Sequence, residues 1–170
     1  MTPAFVGLGS NLAGPLTQLR AAVTALSALP ESHLVQVSPA YRSAAVGPGQ
    51  QPDYLNAVAL LETSLDPLVL LDALQAIEQQ QGRERDIRWG ARTLDLDLLL
   101  YGSLAMNTAR LTLPHPRLAE RSFVLVPLAD IAPANLMLPD GRDLDTLIRA
   151  CPPGALSSTA DSLLPPGSRR

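Results

Sequence analysis

The stretch RWGARTLDLDLLLYG, from Arg88 to Gly102, predicts the element around which this 170-residue chain is built. In its second half, leucines alternate with Asp95 and Asp97. Residues two apart on a strand point to the same face, with their alpha carbons roughly 6.6–6.8 Å apart. The pattern therefore predicts a strand over Leu94–Tyr101 from which both aspartates project together. It also predicts that the alternate leucines enter the core: Leu94, Leu96, Leu98 and Leu100.

Two carboxylates beside a leucine-rich core require partners, because burying an unpaired charge is costly. One interpretation is a half-exposed strand whose acidic face meets only water. The other is a magnesium site, since Mg²⁺ favours a few protein carboxylates completed by water and substrate phosphates. Arginines on both sides of the pair favour the second interpretation, because guanidinium groups bind phosphate oxygens bidentately. These arginines are Arg83, Arg85, Arg88, Arg92, Arg110, Arg117 and Arg121.

The composition excludes several classes of protein. All 13 basic residues are arginine, whereas a Walker A loop or a protein-kinase site requires a lysine on the phosphates. The net charge of −3 argues against a nucleic-acid-binding protein. The single cysteine, Cys151, fits a reducing compartment. Neither a signal-peptide pattern nor an apolar run of roughly 20 residues is present, so we expect a cytoplasmic protein without a membrane partner.

The length suits one domain. We expect a single domain over residues 1–150, a flexible C-terminal tail over residues 151–170, and a monomeric protein. The order β-α-β-β-α-β predicts an α+β, ferredoxin-like sandwich with a mainly antiparallel sheet, helices on one sheet face and extra C-terminal helices. The predicted elements are strand Phe5–Gly9, a helix from Pro15 to Leu29, strands His33–Arg42 and Tyr54–Thr63, a helix from Pro67 to Gly82, strand Leu94–Tyr101 and a helix over Phe123–Ile131.

Four further residues bear on binding. Tyr54 and Asn56 share a strand face, and an aromatic ring beside an amide suits either a flat heterocycle or ordinary sheet packing. Trp89 lies in an irregular segment without an apolar repeat, which is typical of a residue that closes over a ligand. His115, between two prolines, can donate to a phosphate or ribose oxygen or cap a turn.

The segment Arg88–Leu99 resembles the signature of the 6-hydroxymethyl-7,8-dihydropterin pyrophosphokinase family of the folate pathway. The resemblance extends over residues 4–140. It is carried further by Gly9-Ser10-Asn11, Gln51-Pro52-Asp53-Tyr54-Leu55-Asn56, Glu78 with Gln80-Gln81-Gly82-Arg83, Arg110-Leu111-Thr112-Leu113-Pro114-His115 and Arg121-Ser122-Phe123. It implies transfer of pyrophosphate from ATP to the hydroxymethyl oxygen of the reduced pterin, with release of AMP.

The resemblance also implies a role for individual residues. Asp95 and Asp97 are expected to hold two Mg²⁺ ions and, with Arg83 and Arg92, to form the catalytic set. The expected pterin-binding residues are Ser43, Ala44, Val46, Tyr54, Asn56, Trp89 and Phe123. The expected ATP-binding residues are Gln75, Glu78, Arg85, Trp89, Arg92, Leu98, Arg110, Thr112, His115 and Arg121.

Two other functions remain open at this point. Another two-metal enzyme, such as a nucleotidyltransferase, also uses a D-x-D pair but releases pyrophosphate instead of AMP. A non-catalytic ferredoxin-like module for RNA or protein would carry aromatic and basic residues over its open sheet face, and it would not bind ATP in a magnesium-dependent way.

Overall fold

A computed structural model of the protein describes residues 1–10, 14–43, 54–83, 94–151, 156–159 and 162–163. Within these ranges none of the helices is both long and apolar enough to cross a membrane. The strands are β1 (Thr2–Ser10), β2 (Ser32–Val37), β3 (Tyr41–Ser43), β4 (Tyr54–Thr63), β5 (Asp95–Tyr101), β6 (Met106–Asn107), β7 (Thr112–Leu113) and β8 (Leu156–Ser158). The α-helices are α1 (Pro15–Ser27), α2 (Pro67–Arg83), α3 (Ser122–Ile131) and α4 (Leu144–Ala150).

The main sheet has β1 and β4 at its centre. Its strands run in the order β5-β1-β4-β3-β8, and β2 also pairs with β4. Every strand pair in it is antiparallel. The two central strands are buried on both faces over most of their length, which agrees with their nearly continuous apolar sequences. The predicted ferredoxin-like sandwich with a mainly antiparallel sheet is confirmed.

The sheet carries a hydrophobic core on each face. One core contains leucines of α1 and α2, including Leu19, Leu26 and Leu74. The other contains residues of α3 and α4, including Leu128 and Leu147. The prediction of helices on one face therefore holds for α1 and α2, whereas the C-terminal helices α3 and α4 pack against the opposite face.

A β-bulge in β5 changes which leucines face each core. Val6 of β1 lies opposite Leu98, but the preceding residue, Phe5, lies opposite Leu100, so β5 has one extra residue here. The bulge interrupts the alternation of side chains. As a result Leu99 and Leu100 both pack in the α3 core, while the alternate leucines up to Leu98 pack in the α1–α2 core. The prediction that Leu100 shares their face was wrong.

Two predicted segments differ from the structure. The strand predicted over residues 33–42 is divided into β2 and β3, because Pro39 lacks an N–H for a sheet hydrogen bond. Ser38 fills the gap: its N–H donates to Val58 O, and its Oγ accepts from Val58 N, both at 2.9 Å. Within the segment predicted as a flexible tail, residues 151–170, Leu156–Ser158 forms β8 against β3. The sequence of this segment has no periodic pattern by which the pairing could be predicted.

Candidate active site

Two glycines of β1 form the floor of a cavity on the α3 face of the sheet. Gly7 lies opposite Asp97 and Gly9 lies opposite Asp95 in β5. On the other side of β1, Gly9 lies opposite Asn56 of β4. Directly opposed residues project from the same face of a sheet, so no side chain of β1 separates the aspartates from Asn56. A methyl group on Gly9 would approach Asn56 Oδ1 to 3.4 Å.

The cavity above this floor has a volume of about 550 Å³. This volume is within the range of about 300–1,000 Å³ that is typical of small-molecule sites. Its walls come from β3, β4, β5, β8 and the start of α3. The side chains that give it chemical character are Ser43, Tyr54, Asn56, Asp95, Asp97, Arg121, Phe123 and Leu156. This is the first cavity.

The amide of Asn56 has a fixed orientation in the first cavity. Asn56 is only 5% exposed, and its Nδ2 donates a hydrogen bond of 2.8 Å to Ser43 Oγ. Its Oδ1 is the atom nearest to the missing side chain of Gly9. The carbonyl oxygen therefore lies beside the floor of the cavity, where it can accept hydrogen bonds from the edge of a flat heterocycle. Tyr54 of β4 and Phe123 of α3 add aromatic rings to the walls.

Arg121 connects the acidic and the aromatic parts of the first cavity. Its Nη1 lies 3.7 Å from Asp97 Oδ2, and its guanidinium carbon lies 5.7 Å from the centroid of the Phe123 ring. The side chains of Arg121 and Asp97 are 25% and 41% exposed, so this pair contributes little to stability. Both charged groups are thus accessible to a ligand in the cavity.

A second cavity, of about 340 Å³, lies beside β5, the strand at the end of the sheet order. It is bordered by α2 on one side and by residues 108–116 on the other. Among the described residues, its polar lining combines the guanidinium group of Arg110 and neutral donors with the carboxylates of Glu78 and Asp97. Such a set can bind a phosphorylated ligand together with a cation that offsets the carboxylate charge. The residues that contribute most are Gln75, Glu78, Asp97, Leu98, Arg110, Thr112 and His115. Asp97 borders both cavities.

Two contacts hold the second cavity together. The N–H of Leu96, between the two aspartates, donates a 2.7 Å hydrogen bond to Glu78 Oε2 of α2. This contact joins the acidic segment of β5 to α2. It also satisfies a backbone amide that would otherwise lack a partner in an edge strand. Arg110 forms an ion pair with Asp72 of the same helix, and both side chains are about half exposed. Its guanidinium group therefore retains donors for a ligand.

His115 is held by its own backbone and by its ring. Its N–H donates to Leu99 O at 2.9 Å, and its Nδ1 accepts from Arg117 N at 3.1 Å. Burial lowers the pKa of His115, and the charges of Arg121 and Arg117 lower it further, against the opposing effect of Asp97. The ring is therefore neutral near pH 7. Since Nδ1 is the acceptor, the proton is on Nε2, which can donate to a phosphate oxygen.

The structure separates the predicted site residues into two groups. Those assigned to the pterin that line the first cavity are Ser43, Tyr54, Asn56 and Phe123. Those assigned to ATP that line the second cavity are Gln75, Glu78, Leu98, Arg110, Thr112 and His115. Arg121 was assigned to ATP but lines the first cavity, because it directly precedes α3 and contacts Asp97.

Several predicted residues cannot be placed in either cavity. Ala44, Val46, Arg85, Trp89 and Arg92 lie outside the described residues. Arg83 is the last residue of α2, and only its backbone is described.

Sequence reasoning missed two features of the first cavity. The alternation of Gly7 and Gly9 within an apolar strand was a usable signal, because glycine in a strand often marks a close approach of a ligand. Leu156 gave no such signal, since only its pairing with β3 brings it to the cavity.

The donor set of the site fits magnesium better than a metal held by protein alone. Among the described residues, no group of three or more histidine, cysteine, aspartate or glutamate side chains could hold a metal ion. Asp95 and Asp97 instead provide two carboxylates on one strand face beside an open cavity. Such a site leaves coordination positions for water and for the phosphates of a substrate, as Mg²⁺ prefers.

The chain matches the model of the 7,8-dihydro-6-hydroxymethylpterin-pyrophosphokinase family over residues 5–133. It belongs to this family. Among similar curated proteins, the 2-amino-4-hydroxy-6-hydroxymethyldihydropteridine pyrophosphokinase of Pseudomonas aeruginosa is 57% identical over 148 residues, which are 87% of this chain and 91% of that protein. The protein of the same name from Haemophilus influenzae is 52% identical over 149 residues, which are 88% of this chain and 92% of that protein.

Solved structures similar to this family member support its fold. A crystal structure of an HPPK-DHPS in complex with substrates aligns with a TM-score of 0.67 and 12% identity over 88% of this chain and 45% of that one. An HPPK-DHPS triple mutant from Plasmodium falciparum aligns with a TM-score of 0.68 and 11% identity over 87% of this chain and 43% of that one. The pyrophosphokinase thus spans less than half of each solved chain, and at this identity the comparison concerns the fold alone.

Proposed function

We propose that this pyrophosphokinase transfers pyrophosphate from ATP to the hydroxymethyl group of 6-hydroxymethyl-7,8-dihydropterin, in folate biosynthesis, with the residues of the two cavities. The hydroxymethyl oxygen bonds to the β-phosphorus of ATP and loses its proton. The bond between the β-phosphorus and the oxygen bridging to the α-phosphorus breaks, and that oxygen leaves with AMP. Family membership and the named relatives support this reaction.

The observation that carries the proposal is the position of Asp97 on the border of both cavities. One cavity has the aromatic and amide groups that suit a flat heterocycle, and the other has the guanidinium and imidazole groups that suit phosphates. A transfer between two substrates requires their reacting atoms to meet. The border next to Asp97 is where a group from each cavity can meet.

In this arrangement the pterin ring occupies the first cavity between Tyr54 and Phe123. The fixed carbonyl oxygen of Asn56 accepts from the N–H groups at the ring edge, which orients the hydroxymethyl group. Gly7 and Gly9 allow the ring to lie close to the sheet. The first cavity therefore selects the acceptor by shape and by one oriented amide.

The triphosphate extends from the second cavity to the border. Arg110 and the Nε2–H of His115 bind phosphate oxygens, and Arg121 offsets charge near Asp97. We assign the same charge-neutralising role to Arg83 and Arg92, with Arg85 and Trp89 beside the nucleotide, on the basis of the sequence signature alone. An arginine that acts on the transition state in this way is worth up to about 10³-fold in rate, at the lower end of the known range.

Asp95 and Asp97 are the residues that would hold Mg²⁺, and we expect two ions. Bound there, the metal supplies neutralisation of phosphate charge and polarisation of the phosphorus to be attacked. The protein contributes the rigid position of the two carboxylates, which follows from the register of β5 with β1 and from the Glu78 contact to Leu96.

Product analysis tests this function directly. The purified protein is supplied with ATP, magnesium and the hydroxymethyl pterin, and the nucleotide products are separated. The proposed reaction gives AMP and the pterin pyrophosphate in equal amounts. Release of ADP, or of free pyrophosphate with a nucleotide attached to the acceptor, would contradict it. The second of these products would indicate a nucleotidyltransferase.

A pair of variants tests the role of the acidic pair. We expect Asp97→Asn to lower kcat by at least about 10²-fold, comparable to the loss of one strong electrostatic contact in a transition state. Asp145→Asn is the matched control, because Asp145 is an exposed carboxylate on α4. It should retain full activity. Equal activity of both variants would exclude Asp97 from the reaction.

We further propose that the enzyme acts as a monomer in the cytoplasm. The described walls of both cavities come from one chain, which supports this proposal. A single cysteine fits a reducing compartment. Light scattering after size exclusion should give the mass of one chain, 18.0 kDa.

A further inference from the structure

The C-terminal strand β8 supplies a wall of the first cavity. Leu156 of β8 lies opposite Ser43 of β3, and Ser43 lies opposite Tyr54 of β4. Directly opposed residues share a sheet face, so these three side chains form one row across the sheet. All three line the first cavity. Leu156 thus extends the proposed pterin platform beyond β3.

Contacts on both sides of the sheet edge hold this segment in place. Immediately after β8, the N–H and the Oγ1 of Thr159 donate to Ala40 O at 3.1 and 2.8 Å. Further along, Ser162 O accepts from Nε and Nη2 of Arg20 on α1, at 3.3 and 3.2 Å. Leu163 is then 2% exposed in the α1–α2 core. The segment therefore begins on the cavity face and ends in the opposite core.

The pairing of β8 with the edge of the sheet does not by itself require an apolar side chain at position 156, over the cavity. The backbone of β8 already pairs with β3, and this satisfies the edge. The exposed side chain of Ser157, on the opposite face of β8, shows that a polar residue is compatible with the strand. Leu156 is half-buried and faces the cavity, so part of its apolar surface is available to a ligand.

We propose that Leu156 is a specificity-determining residue, which packs against the edge of the bound pterin and limits the size of substituents on that edge. This inference rests on the proposed function, because it takes the occupant of the first cavity to be a reduced pterin. Thr159, Ser162 and Leu163 are positioning residues, since their contacts hold the segment that carries Leu156 and they do not line the cavity.

Steady-state kinetics of Leu156→Ala test the proposal with two substrates. One is 6-hydroxymethyl-7,8-dihydropterin, and the other is the same pterin with an added ethyl group on its ring. The variant should have a pterin KM on the order of tenfold higher, because apolar contact is lost. Its kcat should be little changed, and its relative kcat/KM for the enlarged pterin should rise.

Two further variants complete the test. Ser157→Ala is the matched control on the outer face of the same strand, and it should leave both substrates unaffected. Leu156→Phe enlarges the wall, so it should exclude the enlarged pterin and weaken binding of the parent. It also serves as the test if Leu156→Ala does not fold, which thermal unfolding of each variant reveals.

The outcomes separate this inference from the proposed function. If the wild-type protein forms AMP but the Leu156 variants keep the wild-type pterin KM and substrate preference, the inference is wrong and the function stands. If changes at Leu156 lower kcat for both substrates by the same factor together with the melting temperature, the segment is only structural and the inference is again wrong. If the wild-type protein forms no AMP, the proposed function fails, and the inference fails with it.

Discussion

Replacing Ser43 by alanine removes the hydroxyl group that orients the amide of Asn56. The hydrogen bond from Asn56 Nδ2 to Ser43 Oγ is 2.8 Å long, and Asn56 is 5% exposed. Without it, a buried donor loses its partner, which costs about 1–3 kcal/mol of stability. The amide also becomes free to rotate, so its oxygen no longer stays beside Gly9.

The effect on substrate binding can be estimated from the same contact. A typical hydrogen bond is worth about 0.5–1.5 kcal/mol, which corresponds to a change of about 2- to 13-fold in an equilibrium constant. We therefore expect Ser43→Ala to raise the pterin KM by this factor. Ser43→Thr keeps a hydroxyl group at the same position and should restore most of the affinity.

The assay combines pterin-dependent kinetics with chemical denaturation. Ser38→Ala is the control, because Ser38 is a buried serine whose Oγ, like that of Ser43, bonds to β4, in this case through Val58 N at 2.9 Å. Ser38 does not line either cavity. Its variant should lose similar stability and keep the wild-type pterin KM. The reasoning is refuted if Ser43→Ala keeps the wild-type KM, or if both alanine variants raise it equally.

Three further predictions concern other contacts. Gly9→Val places a side chain between Asn56 and the cavity, and such overpacking costs about 1–3 kcal/mol. Calorimetry should therefore show weaker pterin binding, and an unchanged affinity would show that the pterin does not lie against Gly9. The pKa of Tyr41 is raised from 10.0 to about 12, by burial and by its hydrogen bond to Asp130. The contribution of Tyr41 to the free energy of unfolding is therefore full below pH 10 and is lost as pH rises through about 12. Denaturation curves of Tyr41→Phe should not show this loss of stability at high pH, and the same loss in the variant would contradict the assignment. Burial lowers the pKa of His115, so its contribution to stability is full above pH 6.5 and is lost as pH falls through its folded-state pKa. Between pH 7 and pH 5, the free energy of unfolding should therefore decrease less in His115→Gln than in the wild type. An equal decrease in both proteins would show that another group titrates.

The limits of the sequence-based fold prediction lie in its long-range contacts. The alternation in Tyr54–Thr63 predicts β4 with its observed bounds, because a period of two is a local property of a strand. The bulge at Leu99 depends instead on the register between β1 and β5, which are distant in sequence. The pairing of Leu156–Ser158 with β3 likewise arises only when the sheet edge has formed.

The candidate site likewise combines local features that the sequence predicts with long-range features that it does not. That Asp95 and Asp97 project together, and that Tyr54 and Asn56 do so, follows from strand geometry and was predicted from the residues alone. The register of β1 then places two glycines between these pairs, and this decides that a cavity exists there. No local pattern specifies that register, because it is set by packing against both cores.

Residue types and their spacing along the chain already specify the chemistry available to this protein: a carboxylate pair within an arginine-rich, lysine-free chain, and a signature that identifies the family. The long-range strand pairings set how that chemistry is divided in space, with Asp97 bordering both cavities and Leu156 lining one of them. The physical reason is that side-chain type and spacing are properties of the chain. The meeting of strands and helices that are distant in sequence around Asp97 depends on hydrophobic burial, which is cooperative over the whole domain.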